Sequence, residues 1–181
     1  MENGILKCNV IHMYLSFETR FTCCTTATNL DVTVLAWQYS NNKATAAQLL
    51  AHLQQCDSAF IAGLEQRTNL AAYAEKLTGY AERFEAWANG CLLGVVALYC
   101  NDTQTRQAYI SHVSTLPAWQ GQGIAKALLN HACDHAQTVG MTHVQLEVAT
   151  DNHAALRLYQ QQGFANDEQT TNTRQHLRLA L

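Results

Sequence analysis

Val113-Ser-Thr-Leu-Pro-Ala-Trp-Gln-Gly-Gln-Gly-Ile-Ala-Lys126 is the stretch on which the fold turns. Ala108 to Thr115 reads as a strand, Pro117 closes it, and an amphipathic helix follows the glycines. The helix carries Ala125, Leu128, Leu129, Ala132, Cys133 and Ala136 at offsets 0, 3, 4, 7, 8 and 11, one helical face. Successive N–H groups in such a strand–turn–helix point into one concavity, and the helix N-terminus adds partial positive charge. The turn Gln120-Gly121-Gln122-Gly123-Ile124-Ala125-Lys126 is therefore an anion site suited to phosphate, with Lys126 adding a formal charge. It is not a Walker loop, because no Gly-Lys-Ser/Thr follows. It is not the dinucleotide fingerprint either, because Lys126 stands where the third glycine belongs.

Upstream, Thr45-x-x-Gln48 has capping-box spacing ahead of Leu49, Leu50 and Leu53, which predicts a helix to about Cys56. A second helix starts near Asn69 and carries Leu70, Tyr73, Leu77 and Tyr80. Asn89-Gly90 sits between an alternating run (Phe84, Ala86, Ala88) and the unbroken run Cys91 to Tyr99, which predicts a hairpin and a central strand buried on both faces. A polar turn over Asn101 to Gln107 leads into the next strand. Downstream, Gly140 ends the long helix. His143 to Ala149 alternates as a strand, with Glu147 opposite Val144, Leu146 and Val148. A short helix from Asn152 ends at Gly163, and Phe164 onward and Thr173 to Leu181 read as closing strands. The order is mixed α/β, with a three-strand meander. Residues 1–42 are expected to form an N-terminal extension packed on the core, with one or two strands in Val10 to Phe17 and Val32 to Tyr39, and residues 43–181 to form the main domain.

With 11 basic and 14 acidic side chains among 181 residues, the net charge is −3, which argues against a nucleic-acid coat. A hydrophobic share of 48% excludes bulk disorder, and one proline with nine glycines excludes collagen-like or linker architecture. No apolar run reaches the roughly 18 residues of a membrane span, and Met1 to Leu15 lacks a secretory pattern. The seven cysteines include no Cys-x-x-Cys pair and read as reduced, largely buried thiols, so a cytoplasmic location is expected. His131 and His135 stand four apart on one helix, but the apolar stripe is complete without them and no third ligand is evident, so no metal is expected. Arg174, His176 and Arg178 alternate along the last strand and read as a solvated or edge face.

Gln120-x-x-Gly123-x-Ala125 resembles the Gln/Arg-x-x-Gly-x-Gly/Ala signature of the GNAT superfamily of acetyl-CoA-dependent N-acetyltransferases. Leu146-Glu-Val-Ala-Thr-Asp-Asn152-His-Ala-Ala155-Leu-Arg-Leu158-Tyr159, then Gly163-Phe164, resembles that family's fifth strand and following helix. The two motifs occur in the family's order, and the clear match runs over about residues 83 to 166. The resemblance implies the GNAT fold, an α+β architecture. It has a mixed, mostly antiparallel sheet of six to seven strands, a splayed fourth and fifth strand, and about four flanking helices.

It also implies acetyl-CoA as cosubstrate. The pantetheine arm would pair with Val113, Ser114 and Thr115, the pyrophosphate would lie on Gly121 to Lys126 (Gly121, Gln122, Gly123, Ile124, Ala125 and Lys126) beside Gln120, and Asn152 would meet the arm or cap its helix. Tyr159 matches the tyrosine near the thioester sulfur. A thiol of pKa about 8.5 leaves beside a phenol of pKa about 10, which donates as charge develops. The base is open between Glu147, which matches the glutamate of N-terminal acetylating members, His112, whose ordinary pKa suits proton transfer, and water.

The acceptor is expected beside the helices of about Asp57 to Tyr80, near Asp57, Glu65, Glu75 and Glu82. The leading expectation is a small-molecule amine or amino sugar. A protein N-terminal α-amine is the alternative, and a non-catalytic acyl-CoA-binding regulatory module is the rival of another class. Neither nucleic acid nor membrane is an expected partner; a homodimer is.

Overall fold

Asn89 and Gly90 both take left-handed backbone, with φ of 49° and 77°, as a type I′ hairpin turn requires. In the computed structural model, which describes residues 36–57, 69–167 and 173–181, they join β2 (Glu82–Ala88) to β3 (Cys91–Asp102). The first eight residues of β3 are buried on both faces, as its unbroken apolar run implies. The polar turn begins at Thr103 rather than Asn101, because β3 runs on until Asp102 pairs with Gln107 at the start of β4 (Gln107–Thr115). Ahead of the hairpin lie β1 (Gln38–Asn41), α1 (Ala46–Asp57) and α2 (Leu70–Tyr80). After β4 come a 3-10 turn (Pro117–Trp119), α3 (Ile124–Thr138), β5 (His143–Ala149), α4 (His153–Gln161), β6 (Ala165–Asn166) and β7 (Arg174–Ala180). The expected strand at Val10 to Phe17, residues 32–35 of the next one, and Glu65 lie outside the described residues.

Local chemistry sets the helix ends. The Thr45 N–H donates to Gln48 Oε1 at 3.0 Å and the Gln48 N–H to Thr45 Oγ1 at 3.3 Å, a reciprocal capping box. Asn69 caps α2 by accepting from the Ala71 and Ala72 N–H groups.

The seven strands lie in the order β1-β2-β3-β4-β5-β7-β6, all antiparallel except the parallel pair β4–β5. This is the GNAT fold. α1 and α2 cover one face through Leu49, Leu53, Ala74 and Leu77 against Leu92, Val95 and Ala97. α3 and α4 cover the other through Leu128, Leu129, Leu156 and Tyr159 against Val96, Leu98, Ile110, Val144 and Leu146. β7 lies between β5 and β6, and β6 meets it at Leu177 and Arg178, so Arg178 is interior to the sheet, whereas Arg174 and His176 are partly solvated on the face they share with Glu147.

Glu85, which alternates with Phe84 and Ala86 along β2, is fully buried. It accepts from the Lys43 and Ala44 N–H groups ahead of α1 and from Trp87 Nε1–H, all at about 3 Å. Arg83 lies at 3.5 Å from Glu85 and donates to the Leu77 and Thr78 carbonyls at the end of α2. A buried carboxylate is tolerable only when satisfied in this way. Here it fastens the start of α1 and, through Arg83, the end of α2 to β2.

Candidate functional site

β4 and β5 pair only from Gln107↔His143 to Ile110↔Leu146. Beyond that point β4 continues to Thr115 and β5 to Ala149 with no ladder between them, so a gap opens where the strands part. A β-bulge accompanies the parting. Leu98 pairs with Ile110 and Ala97 with His112, which leaves Ser111 as an extra residue in β4. The bulge reverses the pleat: Ala108 and Ile110 pack with α3, whereas His112 and Ser114 face α1. One edge of Ser111 to Thr115 stays tied to β3 and the other faces the gap.

The glycine turn follows. Gly121 and Gly123 take φ of 76° and 83° with open space where a Cβ would stand, so backbone conformation selects glycine there. Gly123 is the N-cap of α3 and no side chain caps that helix. Its first N–H groups have no intrahelical partners and are available to an anion. Gln120, Gly121, Gln122, Gly123 and Lys126 are exposed, Ala125 is half-buried, and Ile124 is buried as the anchor of the turn. Gln120 donates to the Thr115 carbonyl at 3.3 Å, joining turn to strand. Gly94 of β3 is a close approach: a Cβ there would stand 3.0 Å from Ile124 Cγ2 and 3.1 Å from the Ser114 carbonyl oxygen. The gap, the uncapped helix end and the exposed glycine backbone fit a ligand with an extended arm and a phosphate group, as acetyl-CoA has. Val113, Ser114 and Thr115 line the β4 side of that fit.

Asn152 is the N-cap of α4, accepting from the Ala155 N–H at 3.1 Å. Tyr159 is 7% exposed and packs edge-to-face on Phe164, with centroids 5.9 Å apart. Burial raises its pKa, so the phenol keeps its proton and remains a donor at neutral pH. Glu147, half-buried on β5, is held by Arg174 at 3.2 Å, with His176 at 3.9 Å, across the β5–β7 ladder. It raises the pKa of Tyr109, second to burial, which places that exposed ring in the same neighbourhood.

His112 sits in a setting the sequence did not disclose. Its Nε2 lies 2.8 Å from Ser114 Oγ, which lies 2.8 Å from His52 Nε2, while His52 Nδ1 lies 2.9 Å from the Leu92 carbonyl oxygen. All three side chains are buried. A carbonyl only accepts, so His52 carries its proton on Nδ1 and presents an Nε2 lone pair. Ser114 then donates to His52, and His112 donates to Ser114 from Nε2. Burial lowers His52 to about 4, partly offset by the Leu92 hydrogen bond, and burial together with His52 lowers His112 to about 3. Both imidazoles are neutral at physiological pH. A nitrogen that takes a proton only near pH 3 is a poor base for an amine, which weakens the case for His112. His52 escaped notice, although Leu49, His52, Leu53 and Cys56 at offsets 0, 3, 4 and 7 lie on one helical face.

Glu147, Tyr109 and His112 lie on the α1/α2 side of the sheet, whereas Tyr159 approaches from α4 on the other.

Residues 47–164 match the family model described as the acetyltransferase (GNAT) family. The chain is 35% identical over 78 residues to a streptothricin acetyltransferase of Streptomyces lavendulae, covering 43% of this chain and 41% of that protein. It is 30% identical over 106 residues to the ribosomal protein bS18-alanine N-acetyltransferase of Escherichia coli K12, covering 56% of this chain and 70% of that protein. Among solved structures, the PaiA N-acetyltransferase of Thermoplasma acidophilum in complex with coenzyme A superposes with a TM-score of 0.63 at 15% identity, over 80% of this chain and 99% of that one. The chain thus spans less than half of the first relative and more than two thirds of the second. No helix among the described residues is long and apolar enough to cross a membrane.

Proposed function

We propose, from the premise that the chain belongs to the acetyltransferase (GNAT) family, that it moves an acetyl group from acetyl-CoA to the α-amine of a polypeptide N-terminus. The observation that carries the choice of acceptor is that His112 holds a proton only near pH 3, which leaves a carboxylate, Glu147 beside Arg174 and His176, to take the proton. Such a site suits an amine that is partly neutral at pH 7. An α-amine, with a pKa of about 8, qualifies, whereas a lysine-like amine near 10.4 needs far more help. The likeness to an alanine N-acetyltransferase over 70% of its length supports the same reading.

In this reading Val113, Ser114 and Thr115 bind the coenzyme's arm, and Gln120 to Lys126 bind its pyrophosphate through backbone N–H groups, with Asn152 donating to the arm. Glu147 accepts a hydrogen bond from the attacking amine and takes its proton. The new N–C bond forms as the C–S bond breaks, and the Tyr159 phenol donates to the departing sulfur. Arg174 fixes the Glu147 carboxylate, and the buried face around Tyr159 and Phe164 excludes water from the thioester end.

The likeness to streptothricin acetyltransferase favours a second reading, a small amine or amino sugar. Coenzyme A release measured side by side with N-terminal peptides, amino sugars, polyamines and amino acids decides between them. The first reading expects kcat/KM for a peptide at least about 10-fold above every small amine. A small amine at the head of the series replaces it with the second. Acetyl-CoA binding with no amine-dependent turnover makes the chain a binding module.

A further inference from the structure

The splayed part of β4 presents a mechanical problem. Ser111 to Thr115 has lost β5 on one side and keeps its β3 ladder on the other, with single side-chain contacts at its two ends, from Tyr73 to the Ser111 carbonyl and from Gln120 to the Thr115 carbonyl. A strand held along one edge can swing about that edge, and the gap's width would swing with it. A second anchor reaches the strand from outside the sheet, through the buried row Leu92 O, His52, Ser114 and His112, whose three contacts are 2.9, 2.8 and 2.8 Å. His52 belongs to α1, Leu92 to β3, and Ser114 and His112 to the splayed segment. The row therefore bridges the helical layer, a central strand and the free strand.

We propose that His52 is a positioning residue for the coenzyme: through Ser114 it fixes the gap-facing edge of β4 at the width the pantetheine arm requires. The inference rests on the reading of β4 as the coenzyme-binding strand. Three features support it. The bulge at Ser111 is what turns His112 and Ser114 toward α1; without it they would face α3 and the row could not form. The donor direction at His52 is set from one end, because the Leu92 carbonyl fixes the His52 proton on Nδ1 and leaves Nε2 to accept from Ser114. The start of α1, which carries His52, is itself fastened by the buried Glu85 carboxylate through the Lys43 and Ala44 N–H groups. Cys56, one turn along α1, lies 3.5 Å from His52 Nε2, and burial raises its thiol to about 12, so it adds no charge to the row. Tyr73 of α2 packs edge-on to His112 with centroids 5.8 Å apart.

The test compares His52→Leu, His52→Gln and Ser114→Ala with the wild type by calorimetric titration with coenzyme A, steady-state kinetics, and hydrogen exchange at Val113 to Thr115. Leu fills the site but cannot accept from Ser114; Gln presents an acceptor oxygen near the former Nε2. The expected result is a rise of about 10-fold or more in the coenzyme A dissociation constant and the acetyl-CoA KM for His52→Leu and Ser114→Ala. In His52→Leu, kcat at saturation should stay within about 2-fold; exchange at residues 113–115 should quicken in both variants, and His52→Gln should recover the affinity. Unchanged affinity in folded His52→Leu or Ser114→Ala, or His52→Gln no better than His52→Leu, overturns the proposal. If His52→Leu does not fold, Ser114→Ala and His52→Gln carry the comparison alone. A wild type that binds no coenzyme A overturns the coenzyme reading as well, which separates the two failures.

Discussion

Lowering the pH from 8 to 5 should destabilise the protein through the two buried imidazoles. Their folded pKa values, about 4 for His52 and about 3 for His112, lie below the ordinary 6.5. Between pH 6.5 and these values the unfolded chain binds protons that the native state refuses, so stability rises with pH across that window. The contribution is complete above 6.5 and is lost as pH falls toward 4 and then 3. At pH 5 both groups are still neutral in the native state. Each therefore costs about 1.5 units of the 6.5-to-5 interval, or about 2 kcal/mol, whatever the exact folded value beneath 5. His52→Gln removes one of the two titrations and keeps an acceptor for Ser114. Urea unfolding followed by tryptophan fluorescence at pH 8, 7, 6 and 5 gives the stability at each point. The wild type should lose about 2 kcal/mol more than His52→Gln between pH 8 and 5, because carboxylates and exposed histidines cancel in the difference. Parallel curves for the two proteins would refute the reasoning, since they would mean that His52 is not held neutral by burial.

Three further outcomes are expected. Gly123→Asp sets a side chain on left-handed backbone and a negative charge at the uncapped end of α3, so the thermal stabilisation by acetyl-CoA, about 2.7 kcal/mol at 100 times the dissociation constant, should vanish in a melting assay. Tyr159→Phe keeps the edge-to-face packing on Phe164 and removes the donor, so kcat should fall about 10²-fold with acetyl-CoA affinity intact; wild-type kcat would reduce Tyr159 to packing. Glu147→Gln should lower kcat/KM about 10²-fold at pH 7, while His112→Gln should leave the ascending limb of the pH profile in place, because that imidazole protonates only near pH 3; the reverse pattern would exchange their roles.

Most of the architecture is written locally. The Asn89-Gly90 hairpin, the Thr45/Gln48 box, the Asn69 cap and the glycine turn at 120–126 each depend on a few neighbouring residues, and each was legible. The chemistry that distinguishes this site is not local. Glu85 is buried because residues 41 and 42 positions away donate to it, and its strand alternation gives no hint of them. The His52–Ser114 contact spans 62 positions and depends on a bulge that leaves no composition signal. Arg178 reads as an edge position because nothing in the last ten residues reveals that β6 pairs outside β7 there. Glu147 was visible as a residue type at the right place, but its partners were not, since they arrive from the far side of the β5–β7 ladder.

The extra residue at Ser111 makes β4 a strand of two phases. Buried positions continue to fall on even numbers, 108, 110, 112 and 114, as though one face were being tiled. In space the first two belong to one hydrophobic layer and the last two to the other. A ladder with Ser111 paired in place of looped out would keep every side chain and still exchange their audiences, turning an imidazole and a hydroxyl toward Val96 and Ile124 and away from α1. The same parity shift explains how one nine-residue strand serves both the packing of α3 and the polar wall of the gap. Where β4 is transplanted or redesigned, the register of Ile110 on Leu98 and His112 on Ala97 is what has to be kept.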